Sequence, residues 1–66
     1  MNHSLTPKEI EVLRLLASGL VNKQIANIIS RAEGTIRNHG TNIRAKLRAA
    51  NTTHAVAIAL RKGIID

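Results

Sequence analysis

Five cations, Arg31, Arg37, Arg44, Lys46 and Arg48, share one stretch of the chain with a single acid, Glu33, so that stretch holds +4 of the total charge. Clustered Lys and Arg suit a polyanion, because they neutralise phosphates and release bound counterions. The plainer alternative is a solvated helix face, which is common for charged residues. Other chemistry is poorly served by this composition. His3, His39 and His54 have no metal-ligand spacing and no accompanying carboxylate cluster, so neither a metal site nor a catalytic base is expected. His39 reads instead as a packing residue that anchors its helix. Glu9, Glu11 and Glu33 fall early in helical segments, where they complement the helix dipole, and Asp66 ends the chain. The chain has no Cys, which excludes disulfides and thiolate zinc sites. It also has no Phe, Tyr or Trp, and so lacks the stacking platform of RNA-recognition modules and single-strand-binding barrels. Duplex DNA is the nucleic-acid partner that survives. The expectation is a binding protein, not an enzyme, with no cofactor and no small-molecule ligand.

The elements that must position those cations follow from patterning. The 66 residues carry 10 Lys or Arg against 4 Asp or Glu, a formal charge of +6, with 44% hydrophobic residues. That composition fits one small folded domain, 1–66, and is too apolar for a disordered basic tail. A chain this short buries only about 60% of its unfolded surface, so economical packing or a partner chain is needed. No run approaches the roughly 18 apolar residues of a membrane span, and the start lacks the apolar core of a signal peptide, so no membrane partner and a cytoplasmic location are expected.

The expected fold is all-α, a four-helix domain with helices at about 7–18, 22–29, 33–48 and 53–62. Thr6-Pro7-Lys8-Glu9 is a capping box with Pro at the first helical position, and Leu5 can staple onto Ile10. Ile10, Leu13, Leu16, Ala17 and Leu20 then form an amphipathic stripe, widened by Val12 and Leu15, until Gly19 stops it. The second segment starts at Asn22, with Lys23 and Gln24 outward and Ile25, Ile28 and Ile29 on one face. In the third, Ile36, Ile43 and Leu47 share one side with His39 and Gly40, while Gly34, Arg37, Asn38, Thr41, Arg44, Ala45 and Arg48 form a polar, mostly cationic opposite face. Asn51-Thr52-Thr53 supplies capping residues for a last helix, apolar all round from Ala55 to Leu60, that needs cover on two sides. One side is its own domain; the other suits a second copy.

A short second helix joined by a tight turn to a longer third suggests a helix-turn-helix. Ala26 sits where the two helices cross, and Ile25, Ile29 and Ile36 fix their angle. The polar face of the third helix then projects as a ridge that fits the major groove.

Leu5-Thr6-Pro7-Lys8-Glu9, Val12-Leu13-Arg14-Leu15-Leu16-Ala17, Gly19-Leu20, Asn22-Lys23-Gln24-Ile25-Ala26, Thr35-Ile36-Arg37, His39, Asn42-Ile43, Lys46-Leu47 and Asn51 together resemble the LuxR/GerE-type DNA-binding domain of bacterial transcription regulators. The resemblance runs without a gap from about Leu5 to Ile64. It implies a four-helix domain that binds inverted-repeat DNA as a homodimer, often behind a receiver or signal-binding domain, with RNA polymerase as a further partner. Residue by residue, it places base reading on Arg37, Asn38 and Thr41, with Gly34 at the front of the same helix. It places phosphate contacts on Lys23, Thr35, Asn42 and Lys46, with Arg44 on the same cationic face, and a dimer interface on Ala55, Ile58, Ala59 and Lys62. Physical chemistry fits this division: Arg37 can place its planar fork on guanine O6 and N7, and Asn38 can pair with adenine N6 and N7, each worth about 1–3 kcal/mol of discrimination. Lys23 and Thr35 sit near helix N-termini, which favour anions.

The chain departs from the family at the turn, where Gly-Ile-Ser is usual and Ser30-Arg31-Ala32 stands. Loss of the Ser cap costs about 0.5–2 kcal/mol. Gly34 and Gly40 inside the third helix cost up to about 1 kcal/mol each relative to Ala. These departures motivate a second reading, an interaction module that pairs through its last helix with a related regulator and blocks that regulator's DNA binding. A sigma region-four-like promoter-binding domain is a third, less well matched by Asn22-Lys23-Gln24-Ile25-Ala26 and Asn42-Ile43.

Overall fold

The computed structural model describes residues 4–66, and its helices begin and end where local backbone chemistry dictates. Glu9 N–H donates to Thr6 Oγ1 at 3.1 Å and Thr6 N–H donates to Glu9 Oε1 at 2.8 Å, so the capping box closes in both directions. It opens α1, Pro7–Ala17, which ends through Ser18 and then Gly19, held at φ +92°. Glycine enters that left-handed region without steric cost, hence the stop. The second helix, α2, Asn22–Ile29, starts from Val21, whose N–H donates to Gln24 Oε1 at 2.9 Å.

The turn into the third helix carries the strain that its sequence implies. Ser30 sits at φ +56°, in the left-handed region where the family usually has Gly. Arg31 is exposed and folds its Nη1 back towards the Ser30 carbonyl at 3.4 Å. Ala32 precedes α3, Glu33–Leu47, without any side-chain cap. Arg48 then closes α3 at φ +56°. Asn51 caps α4, Thr52–Arg61, by accepting from His54 N–H at 2.8 Å, and His54 Nδ1 accepts from Ala50 N–H at 2.9 Å. That bond assigns His54 to the cap of α4. After α4, Gly63 at φ +71° turns the chain so that Ile64 N–H reaches the Ala59 carbonyl at 2.9 Å.

The helices α1 and α3 lie at the centre: each packs on all the others, whereas α2 and α4 do not pack on one another. Val12, Leu13, Ile25, Ala26, Ile36, Ile43, Ala55, Ala59 and Ile65 form the core. Each fully buried Leu, Ile or Val contributes about 1.5–3 kcal/mol relative to exposure. Ala26 is buried in the core, with Ile25 and Ile36 inaccessible to solvent and Ile29 at the margin.

Three expectations about buried faces need correction. Ile28 is 58% exposed and does not share the buried side of α2 with Ile25 and Ile29. An eight-residue helix packed on its neighbours along one line buries a narrow strip, and Ile25, Ala26 and Ile29 fill it. On α1 the buried strip centres on Val12 and Leu13, which leaves Ala17 outside. Ala55 and Ala59, expected at a dimer interface, are buried in the domain's own core. Their spacing of four keeps both on the side of α4 that meets α1 and α3, and they retain almost no surface to offer a second chain.

Candidate nucleic-acid interface

The α2–turn–α3 unit presents one long uncovered face. Along α3, Gly34, Arg37, Asn38, Thr41 and Ala45 are exposed, at the helical spacings of three and four that align them, and Arg48 just beyond the helix is exposed as well. Ile36 and Ile43 on the opposite side are buried, so the core fixes which way this face points. Among the described residues, the cations of α3 thus sit on a rigid rod whose orientation is set by apolar packing.

The groups on this face differ in how free they are. Arg37 Nη2 meets Glu33 Oε2 at 3.4 Å, one helical turn away, with side chains 63% and 49% exposed. An exposed pair of that kind contributes only about 0.3–0.5 kcal/mol, so a base edge or phosphate can take Arg37 from it. Asn38 and Asn42 are exposed, Thr35 is half-buried in the first turn of α3, and Lys23 is exposed in the first turn of α2. Arg44 is held: its Nη1 donates to Thr52 Oγ1 of α4 at 3.2 Å and its Nη2 to Thr41 Oγ1 at 3.3 Å. Thr41 in turn donates its hydroxyl proton to the Arg37 carbonyl at 3.2 Å.

Lys46 is also engaged inside the domain. Its Nζ donates to Glu9 Oε1 at 2.8 Å, with side chains 29% and 5% exposed, and lies 3.4 Å from the Ser4 carbonyl. Burial raises the Glu9 pKa, but hydrogen bonds from Lys46 and from the Thr6 backbone, with the Lys46 charge, outweigh it and hold the carboxyl below its ordinary value. One carboxylate oxygen therefore joins the cap of α1 to the last turn of α3.

Sequence reasoning placed Glu9 in a capping box and Lys46 on DNA, and missed that they meet. The signal was present: Glu9 lies in line with Val12 and Leu13 on the buried stripe, and a carboxylate there requires a cationic partner. Ile65 was missed because Gly63 marks the end of α4, while the hydrogen bond from Ile64 to Ala59 folds the following residues back under the core. His39 is half-buried on α3. Among the described residues no three His, Asp or Glu side chains gather to hold a metal, and His3 lies outside the described residues.

A helix-turn-helix inside a four-helix domain, with an oriented cationic third helix, defines a class of DNA-binding regulatory domain. Residues 3–59 match the luxR family of bacterial regulatory proteins, and the chain belongs to that family. The family comprises DNA-binding transcription regulators, not enzymes. The chain is 45% identical over 62 residues to the HTH-type quorum sensing-dependent transcriptional regulator VjbR of Brucella ovis, an alignment that covers 94% of this chain and 24% of that protein. It is 45% identical over 60 residues to the transcriptional regulatory protein LnrK of Bacillus subtilis, covering 91% of this chain and 27% of LnrK. Its fold matches the crystal structure of ChrA, a response regulator in a heme-sensing two-component system, with a TM-score of 0.91 at 35% identity, covering 94% of this chain and 31% of ChrA. The phage VqmA–DPO complex matches with a TM-score of 0.86 at 33% identity, covering 96% of this chain and 29% of VqmA. The chain thus spans about a quarter of the length of the curated relatives it matches.

Proposed function

We propose that this domain reads a specific duplex DNA sequence by laying α3 in the major groove, and that it does so as a homodimer on an inverted repeat to regulate bacterial transcription. The observation that carries this reading is the uncovered face of α3, on which Arg37, Asn38 and Thr41 align beside Gly34 while Ile36 and Ile43 anchor the other side. Arg37 and Asn38 supply bidentate contacts to base edges. Lys23, Thr35 and Asn42 meet phosphates, the first two from helix first turns. Arg44 and Lys46 serve by position, Arg44 tying α3 to α4 and Lys46 tying α3 to α1.

Dimerisation through α4 is supported by Ile58, which is half-buried and outside the core cluster, with Lys62 one turn on at the end of the helix. A two-fold dimer would place two α3 helices on half-sites one helical turn apart. No helix among the described residues is long and apolar enough to cross a membrane; access to the chromosome places the proposed activity in the cytoplasm, and contact with RNA polymerase is the expected route to transcription. The family match displaces the sigma-factor alternative.

The test is selection of bound duplexes from a random library at near-physiological salt, with protein quantified by peptide absorbance because the chain has no Trp or Tyr. An enriched inverted repeat is expected. Binding without enrichment would reduce the activity to charge alone. The uncapped front of α3 at Ala32 and the strained Ser30 favour one second reading, a partner that pairs through α4 with a related regulator and removes it from DNA. Failure to retain any duplex, together with heterodimers in sedimentation of a mixture, would select it.

A further inference from the structure

The hydroxyl of Thr41 is engaged on both of its roles. It donates to the Arg37 carbonyl at 3.2 Å, and its oxygen accepts from Arg44 Nη2 at 3.3 Å. A Thr hydroxyl has one donor proton and two acceptor lone pairs, so one lone pair remains, beside a guanidinium. An acceptor alone cannot separate the N6 amine of adenine from the N4 amine of cytosine, both of which donate in the major groove. The other branch at the Cβ of Thr41 is a methyl, on an exposed residue of the uncovered α3 face. In the major groove only thymine carries a methyl group for it to meet.

We infer that Thr41 recognises thymine through methyl–methyl contact, with Arg44 holding the hydroxyl away from the bases. Arg44 is itself fixed from the other side by Thr52 of α4 at 3.2 Å. Its Nη1 passes over Gly40, where an added Cβ would lie only 3.3 Å from it. Gly40, Thr52 and Arg44 thus act as positioning residues for Thr41, and Thr41 is the specificity-determining one. The inference rests on the proposed DNA reading and sharpens it to a single base substituent.

The experiment replaces each thymine of the selected half-site by uracil, which removes the C5 methyl and nothing else, and measures affinity for the wild-type chain, Thr41→Val and Thr41→Ser. Burial of one methyl is worth about 0.8 kcal/mol, so the wild type should lose about fourfold when that thymine is replaced in one half-site only. Thr41→Val keeps the methyl without the hydroxyl and should keep that loss. Thr41→Ser keeps the hydroxyl without the methyl and should bind thymine and uracil alike. Thr41 is exposed, so both variants should retain the far-ultraviolet circular dichroism of the wild type. A selected site indifferent to uracil at every thymine, or a Thr41→Ser variant that still prefers thymine, overturns the methyl contact while leaving DNA reading intact. Selection that enriches no sequence overturns the DNA reading first and this inference with it.

Discussion

Lys46→Met tests whether Lys46 holds the fold or the phosphate backbone. The substitution removes a 2.8 Å charge-assisted hydrogen bond from a carboxylate that is 5% exposed, and it leaves the Thr6 N–H as the remaining donor to Glu9 Oε1. A hydrogen bond to a charged group is worth about 1.5–3 kcal/mol, and breaking a fully buried ion pair costs about 3–5 kcal/mol. Lys46 is 29% exposed, so water reaches the vacated site and the expected loss is about 2–3 kcal/mol. A domain of this size has roughly 3–10 kcal/mol of total stability, and the melting temperature should fall by roughly 10–20 °C. Urea unfolding followed by far-ultraviolet circular dichroism measures it, since the chain has no aromatic fluorophore. Lys8→Met is the control, because the Lys8–Glu11 pair at 3.3 Å is about half exposed on both sides and should lose under about 0.5 kcal/mol. The double variant Glu9→Gln with Lys46→Met should recover part of the loss by removing the orphaned charge. Equal urea midpoints for Lys46→Met and Lys8→Met would refute the reasoning. A lowered DNA salt slope with unchanged stability would return Lys46 to the phosphates.

The same pair fixes an acid limb: the Glu9 carboxyl is held below its ordinary value in the folded state, so its contribution is complete above the ordinary carboxylate range and is lost as pH falls through the lower folded value, and Glu9→Gln should flatten that part of a stability–pH curve. Arg37→Ala should relax base preference at one position by about 1–3 kcal/mol, whereas Lys23→Ala should weaken all duplexes alike and make the salt slope shallower by about one; identical behaviour of the two variants would collapse the division between base and phosphate contacts. Ala32→Ser should restore the missing cap of α3 and raise stability in urea by about 0.5–2 kcal/mol. Ile58→Glu should abolish dimers in sedimentation while leaving helicity unchanged, because Ile58 lies outside the core cluster.

The helices were legible because their punctuation is local. Thr6, Pro7, Gly19, Asn51 and Gly63 act within one turn of where they stand, and the structure shifts the predicted ends by a single residue. The uncovered face of α3 was legible for a related reason, since burying Ile36 and Ile43 forces Arg37, Asn38 and Thr41 outward. What escaped depends on residues far apart in sequence. Nothing within α1 says that the partner of Glu9 is Lys46, or within α3 that Arg44 reaches Thr52. The side of α4 that faces inward was equally undetermined, because an apolar run without a polar stripe has no periodicity to orient it; packing against α1 and α3 turns Ala55 and Ala59 inward.

Ala55 and Ala59 are buried where α4 packs on α1 and α3, and Arg44 adds a polar link between α3 and α4. Arg44 spans from α3 to Thr52 in the first turn of α4 while touching Thr41 on the uncovered face of α3. If α4 carries the dimer contact, the helix that sets the distance between two half-sites is joined by one side chain to the helix that reads them. Gly40 belongs to the same arrangement: a glycine inside α3 costs about 0.5–1 kcal/mol relative to Ala, yet a Cβ there would crowd Arg44 Nη1 at 3.3 Å. The obstructing atom is the end of a flexible side chain, so the fold itself would tolerate the extra methyl by moving Arg44. Gly40 thus leaves the Arg44 guanidinium undisturbed at the expense of helix propensity.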